Sequence, residues 1–422
     1  MVGGGAAGVC SAYELAQRGR EVLLLERDVL CAGSSYGNAA FLAPSRSLPL
    51  AVPGVIRKSL RWMVEPHGAF RLRARPDREL AQWLLLFRRS CTEDVARHTA
   101  TVIRDLTRES LGLFEVYATR IDFGLRRNGL LEVFRSEEGE ASVRGDAAHL
   151  AELGIATSLL DLEGARELAP ALDASVRGAL FSPDDGHLDP PAFVRELGRA
   201  AVEDGVRIET GVEVTRLERR GSSIGAVETS RGHVAAETIV LANGAWAART
   251  GRALGLRFMI EPAKGYSFRL VGLDGARPEL PLIMIETRTT LTPIGADARV
   301  TGKLDLVGFD TAARGRRVAA IPETIRPYLR VPAGTRVVET WSGFRPLTPD
   351  GLPLVGRAPG LSNLVLAIGG GRMGLATAPS MGRLAAQVVD GDESHPSLPA
   401  LDPARFSPRS AVAAGEELDN QP

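Results

Sequence analysis

The sequence predicts an α/β fold: one domain that opens on a βαβ unit, joined to a second, mainly antiparallel domain. Three observations carry this. Gly3-Gly4-Gly5-Ala6-Ala7-Gly8 satisfies G-x-G-x-x-G and stands before a helical stretch and a strand. Thr238-Ile239-Val240-Leu241-Ala242 is a continuous apolar run, suited to a strand buried on both faces. Residues 256–340 break into many short β-like runs, among them 264–270 and 299–307.

The bulk properties agree. At 422 residues the chain exceeds one ordinary core. A hydrophobic share of 44% and a charged share of 24% exclude disorder and collagen-like classes. The 51 basic residues balance 51 acidic ones, so no bulk field favours nucleic acid or an anionic membrane. The bases are nearly all arginine; lysine occurs only at Lys58, Lys264 and Lys303. Cys10, Cys31 and Cys91 form no C-x-x-C, which argues against a structural zinc and a disulfide framework and fits a reducing, cytoplasmic setting. No metal site is expected, and no apolar run approaches the roughly 18–20 residues of a membrane span.

The elements follow in order. A helix is expected over 9–18, ended by Gly19, and then a strand over 22–25 finishing at Glu26. In such a unit Gly3 permits the tight turn, Gly5 lets backbone approach a pyrophosphate, and Gly8 lets helix and strand pack. The helix N-terminus faces the diphosphate, and Glu26 can accept from a ribose hydroxyl. Only Met1 and Val2 precede the loop, where a first strand of about five residues is expected. The expectation is a start placed late, a lost central strand and no signal peptide before the motif. After Arg27 comes a loop of small and hydroxyl residues, Gly33 to Ala40, either a surface loop or a wall for a flat ring. Residues 45–90 read as a loop-and-helix insertion, 94–117 as one face of a long amphipathic helix, and 129–134 as a strand. Asp189 caps a helix with proline in its first turn, ended by Gly205. A meander leads to the 238–242 strand, and Asn243-Gly244-Ala245-Trp246 follows where a ligand-contacting turn is expected. His187 and His233 are expected on the surface. The tail from about residue 403 is expected to be disordered.

Gly369-Gly370-Gly371-Arg372-Met373-Gly374 also satisfies G-x-G-x-x-G, after a strand at 364–368 and opening a helix to about residue 389. Too little chain remains for a second βαβ site. The turn offers N–H groups and a positive helix end instead, to which Arg372 would add.

Taken in order, Gly3–Gly8 with Glu26-Arg27, Ser34-Ser35 with Asn38, Pro183-x-x-Gly186 before Asp189-Pro190, Leu241 to Trp246, Lys264-Gly265-Tyr266-Ser267, Trp341 to Gly356 and the turn at 369–374 make a pattern. The chain resembles the FAD-dependent D-amino acid oxidase superfamily and is most similar to the small subunit of bacterial D-amino acid dehydrogenases, over about residues 1–395. The resemblance implies a Rossmann-like FAD-binding domain (GR2-type) from 1–48, 140–255 and 336–395, with an inserted α+β substrate domain from 49–139 and 256–335 built on an antiparallel sheet. It implies non-covalent FAD, since no cysteine follows Cys91 to carry a late linkage. Gly3, Gly5, Ala6, Ala7 and Gly8 would hold the diphosphate and Glu26 the ribose, with Arg27 nearby. Ser34, Ser35, Asn38 and Ala39 would approach the diphosphate and flavin, and the Val214 backbone the adenine. Ala242, Gly244 and Trp246 would add to the cofactor wall, while Gly371, Met373 and Gly374 would face the isoalloxazine. The chain departs from the family at Gly369-Gly370-Gly371, where Gly-His-Gly is usual, and at Gly302-Lys303-Leu304-Asp305, where Gly-Thr-Ala-Glu is usual.

The implied reaction is oxidative deamination of a D-amino acid or cyclic imino acid, with hydride leaving Cα for flavin N5 to give an imine and then a 2-oxo acid. Arg345 is the expected carboxylate anchor, because a planar guanidinium pairs with a carboxylate through two parallel hydrogen bonds. Arg372 and Tyr266 are secondary candidates. No general base stands out. The electron acceptor is left open between a non-oxygen carrier such as a quinone and, in a glycine- or sarcosine-oxidase reading, dioxygen. A non-catalytic FAD-binding subunit is the third reading. Trp62, Met63, Trp83 and 84–86 serve either core packing or at most a peripheral contact with the inner membrane.

Overall fold

The computed structural model describes residues 1–64, 70–73, 75–312 and 321–406. A parallel sheet runs in the spatial order Arg207–Thr210, Leu23–Glu26, Val2, Ile239–Leu241 and Leu364–Ile368, with Leu354–Arg357 antiparallel at its edge. The expected loss of a central strand is not what the chain shows. Val2 N donates to Val240 O and Ala242 N to Val2 O, both at 2.9 Å, while Gly3 N donates to Leu25 O at 2.9 Å. Two residues thus keep the ladder continuous where a longer strand was expected. Ala6–Gln17 is helical and stops at Gly19, whose φ of 73° suits the left-handed turn after a helix end. It packs against Ala378–Asp390 closely: a Cβ at Gly382 would come within 2.7 Å of the Cys10 backbone. Pro190–Glu203 completes this layer, its N-terminus capped as expected by Asp189, which accepts from Ala192 N at 3.3 Å. The meander of Val214–Arg220, Ser223–Thr229 and Gly232–Val234 is also as read from its alternating pattern.

A second, nine-stranded sheet runs Arg336–Leu347, Glu261–Val271, Asp297–Leu306, Thr289–Ile294, Leu282–Met284, Leu130–Phe134, Gly178–Ser182, Ser158–Asp161, with Phe70–Leu72 pairing on Asp297–Leu306. This pairing crosses the sequence positions 140 and 336. Ser158–Asp161, Gly178–Ser182 and Arg336–Leu347 pair with the large sheet, not the parallel one. Pairing between strands distant in sequence decides membership, and local pattern does not carry it. Two further corrections are local. His187 is buried, since Gly186–His187 pairs with Phe41–Leu42; burial, and then Arg126 and Arg277, push its pKa down to about 4. His233 is exposed as expected. Pro403–Phe406, placed in a disordered tail, forms a helical turn, and Arg405 donates to both carboxylate oxygens of Asp350 at 2.8 and 3.1 Å; residues 407–422 lie outside the described residues. Among the described residues no helix is long and apolar enough to cross a membrane, and no acid, histidine or cysteine cluster could hold a metal ion. Trp83 is buried and stacked on Phe87, Met63 is half-buried, and the Trp62 side chain lies outside what is described.

Candidate functional site

The carboxyl ends of the parallel strands open into a cleft of about 480 Å³, walled on its other side by the large sheet. That is where open α/β sheets bind ligands, because chain connections leave a crevice there. From the parallel side come Gly3, Gly5, Ala6 and Ala7 of the first loop and helix, Glu26 and Arg27, and the 242–246 turn with Ala242, Gly244 and Trp246. Ser34, Ser35 and Asn38 join them from the next loop, Val214 from the meander, and Gly371 and Gly374 from the second glycine turn. Tyr266 and Arg345 come from the large sheet.

Local chemistry sets these positions. Gly4 N donates to Glu26 Oε2 at 2.6 Å and Asp28 N to Oε1 at 2.9 Å, which fixes the carboxylate in the wall. Ala6 N donates to Ser35 Oγ at 3.0 Å, so a hydroxyl meets the first helix where an anion is favoured. Gly8 faces inward: a Cβ there would sit 1.9 Å from Gly3 O. Gly5 differs. Its added Cβ would meet only Ser35 Oγ, at 3.4 Å. The protein itself does not demand glycine at position 5, and the space beside it opens into the cleft. Ser34 Oγ donates to Phe344 O, tying this loop to the strand that carries Arg345. Asn38 Oδ1 accepts from Ala40 N at 2.8 Å and supports the left-handed Ala40. The Arg27 guanidinium lies 5.0 Å from the Trp246 ring centroid.

Four expected residues do not line the cleft. Gly8 packs helix on strand. The Ala39 carbonyl accepts from Thr292 Oγ1 at 2.7 Å. Met373 is buried in the core. Arg372 donates to the carbonyls of Arg46 and Leu48 at 3.3 and 3.2 Å, so it clamps that segment against the glycine turn instead of facing a substrate. Burial, with Arg46 and Arg345 nearby, pushes its pKa down to about 9. The turn does not open a helix directly either. Ala378–Asp390 begins past residue 374, with proline in its first turn, and a Cβ on Gly370 would lie 2.6 Å from Gly374 Cα.

Arg345 is a charged group of the cleft with no counter-charge, as is Arg249, but Arg249 rests on the Phe309 ring. No described residue forms an ion pair or hydrogen bond with its guanidinium, and burial alone holds its pKa below the ordinary value. The side chain is half-buried, and a partly desolvated cation without a counter-charge is costly. Its strand places it: Ala263 pairs with Arg345 and Gly265 with Gly343 across the two long strands. Gly265 leaves the guanidinium room, since a Cβ there would come 3.1 Å from it. Trp341 lies over two more glycines; a Cβ at Gly37 or Gly343 would fall 1.8 or 2.1 Å from its ring. Tyr266 lines the cleft, but its hydroxyl already donates to Asp305 Oδ2 at 3.0 Å. A register shift opposite Gly265 accompanies a left-handed Lys303, φ 65°, beside that pair. Sequence reasoning missed Trp341, Gly37, Gly265 and Gly343 as one unit. Their alternation at 341 and 343 on a strand is the signal that one face had been cleared.

The family model for FAD-dependent oxidoreductases matches residues 1–388. The chain belongs to that family. Its cofactor is FAD, and the cleft fits it: a glycine open toward the ligand, a helix N-terminus for the diphosphate and an anchored carboxylate at Glu26. Along nearly its whole length the chain is similar to a D-amino acid dehydrogenase of Methylobacterium nodulans, 33% identical over 96% of this chain and 98% of that one. One of Cereibacter sphaeroides is 32% identical over 93% and 91%. Among solved structures, glycine oxidase from Geobacillus kaustophilus superposes with a TM-score of 0.73 at 25% identity, covering 96% and 97%. L-proline dehydrogenase from P. horikoshii gives 0.72 at 22% over 96% of both chains, a likeness of fold.

Proposed function

We propose that this FAD-dependent oxidoreductase removes hydride from the amine-bearing carbon of a D-amino acid or cyclic imino acid, and that its electrons pass to a carrier other than dioxygen. The unpartnered Arg345 guanidinium in the cofactor cleft carries this reading. Relatives named D-amino acid dehydrogenases over almost the full chain support the substrate class. Bound FAD supplies the hydride acceptor. Gly3, Gly5, Ala6, Ala7, Ser35 and Glu26 would hold it, with Val214 toward the adenine and Gly371 and Gly374 toward the ring. The chain's own part is positioning. Arg345 grips the substrate carboxylate through two parallel hydrogen bonds and fixes the angle of the neighbouring carbon. Trp341, packed against Gly37 and Gly343, excludes water from the same space. Tyr266, held by Asp305, gives the wall a rigid polar point. The imine product hydrolyses in water to a 2-oxo acid and ammonia.

An anaerobic screen tests this. FAD-loaded protein is mixed with D- and L-amino acids and proline analogues while flavin absorbance is followed, then dye reduction is compared with peroxide release. Bleaching by D-amino or cyclic imino acids, with dye reduction outpacing peroxide, is expected. Bleaching by L-amino acids alone, or by none, refutes the reading; peroxide release matching turnover moves it to an oxidase.

A further inference from the structure

We propose that a second cavity, outside the cofactor cleft, binds a small carboxylate with an apolar body. The cavity is about 320 Å³ and lies between the start of the Arg78–Ser90 helix, the Ala247–Ala253 helix with the loop after it, and residues 307–309. That volume is at the lower end for small-molecule sites. Its floor is apolar: Trp83, Phe258, Met259, Ile260 and Val307 are buried.

Its rim carries surplus positive charge. Arg75 pairs with Asp77 at 2.9 Å and with Glu261 at 2.7 Å, and Arg252 pairs with Glu79. Those two arginines engage all three carboxylates described on the wall. Arg249 and Arg257 pair with no carboxylate among the described residues. Arg257 donates to Gln82 Oε1 at 3.2 Å, and Arg249 lies 3.9 Å from the Phe309 ring centroid. A further donor is unmet: Arg75 Nη1 is buried without a partner. A Cβ on Gly308 would come 3.3 Å from that nitrogen, which therefore lies behind the wall that Gly308 lines.

These features select a ligand class by elimination. A neutral apolar molecule would cover the floor and leave Arg249 and Arg257 without a counter-charge. A cation would meet unbalanced guanidinium groups. A bare inorganic anion would leave the floor wet. A carboxylate on an aromatic or aliphatic body answers all three, with Arg249 and Arg257 free to take the acid group. Arg249 also lines the cofactor cleft, so Arg257 is the residue to change.

The test is calorimetric titration of FAD-loaded Arg345→Leu protein with 4-phenylbutanoate, and with 4-phenylbutanamide as the neutral control. That background removes the substrate anchor, so binding reports the second cavity alone. One saturable site is expected, with the acid about tenfold tighter than the amide, and at least about tenfold weaker in Arg257→Glu at unchanged flavin absorbance. Equal affinity for acid and amide overturns the proposal, as does binding that ignores the Arg257 change, or no saturable heat at roughly 10 mM probe. Restoring Arg345 adds or fails to add a separate site, so failure of the substrate reading registers independently.

Discussion

Replacing Arg345 by leucine separates a substrate anchor from a structural cation. Two charge-assisted hydrogen bonds to a carboxylate are worth about 1.5–3 kcal/mol each, and part of that is offset by desolvation of the incoming acid. A net loss of about 3–5 kcal/mol lowers kcat/KM by about 10²–10⁴. Stability should move the other way. Because no described residue accepts a hydrogen bond from this guanidinium, leucine strands no buried partner, and it removes an unpaired cation held below its ordinary pKa by burial. The melting temperature of the FAD-loaded variant is expected to hold or rise. Arg345→Lys keeps the charge without the planar fork and should fall between the two. The assay is stopped-flow bleaching of the flavin under anaerobic conditions, alongside thermal unfolding followed by circular dichroism. Turnover that survives the leucine change, or activity lost in step with a falling melting temperature, would refute the reasoning.

Other outcomes follow from the same geometry. Gly5→Ala should leave apoprotein stability within about 0.5 kcal/mol and weaken FAD binding, whereas Gly8→Ala, whose Cβ would sit 1.9 Å from Gly3 O, should destabilise by at least about 1–3 kcal/mol; FAD titration and urea melts distinguish the pair. Arg46 pairs with the fully buried Glu132 at 2.5 Å, and burial, the largest influence on that carboxyl, raises its pKa; Arg46→Met should cost about 3–5 kcal/mol in chemical denaturation by stranding the acid, and a loss below 1 kcal/mol would show the pair to be dispensable. His187 and Asp185 should give opposing pH dependences. The His187 pKa falls from 6.5 to about 4 through burial, so its contribution is complete above pH 6.5 and is lost as pH falls toward 4. Burial raises that of Asp185 from 3.8 to about 7, so its contribution is complete below pH 3.8 and is lost as pH rises through 7. Over the shared window the slopes offset; Asp185→Asn should expose a rise with pH of about 3 kcal/mol in denaturant-measured stability, and a curve parallel to the parent protein's would sink the assignment.

Local signals in the sequence served well where one short segment decides the outcome. The strand Leu364–Ile368 lies where its apolar run puts it, Glu26 ends its strand, and Asp189 caps its helix through its own side chain. The Glu137–Glu152 helix went unread although Ser136 caps it, accepting from Gly139 N at 3.0 Å, and acids crowd its first turn; its weakly apolar face hid the period. Side-chain direction was harder. Arg345 and Arg372 look alike as arginines next to glycine- and proline-rich turns, yet one faces the cleft and the other is tied to carbonyls of a segment more than 300 residues earlier. His187 is buried because chain far from it in sequence, Phe41–Leu42 and Arg126, pairs with it. Such facts belong to tertiary pairing, which composition and period do not encode.

The chain contains four tryptophans, and two of them, Trp246 and Trp341, border the cofactor cleft. Indole emission overlaps the absorption of an oxidised isoalloxazine, so this placement gives the molecule a built-in optical gauge. Loading of the cleft should dim the native fluorescence, and an emission trace during FAD addition would report occupancy without any attached dye.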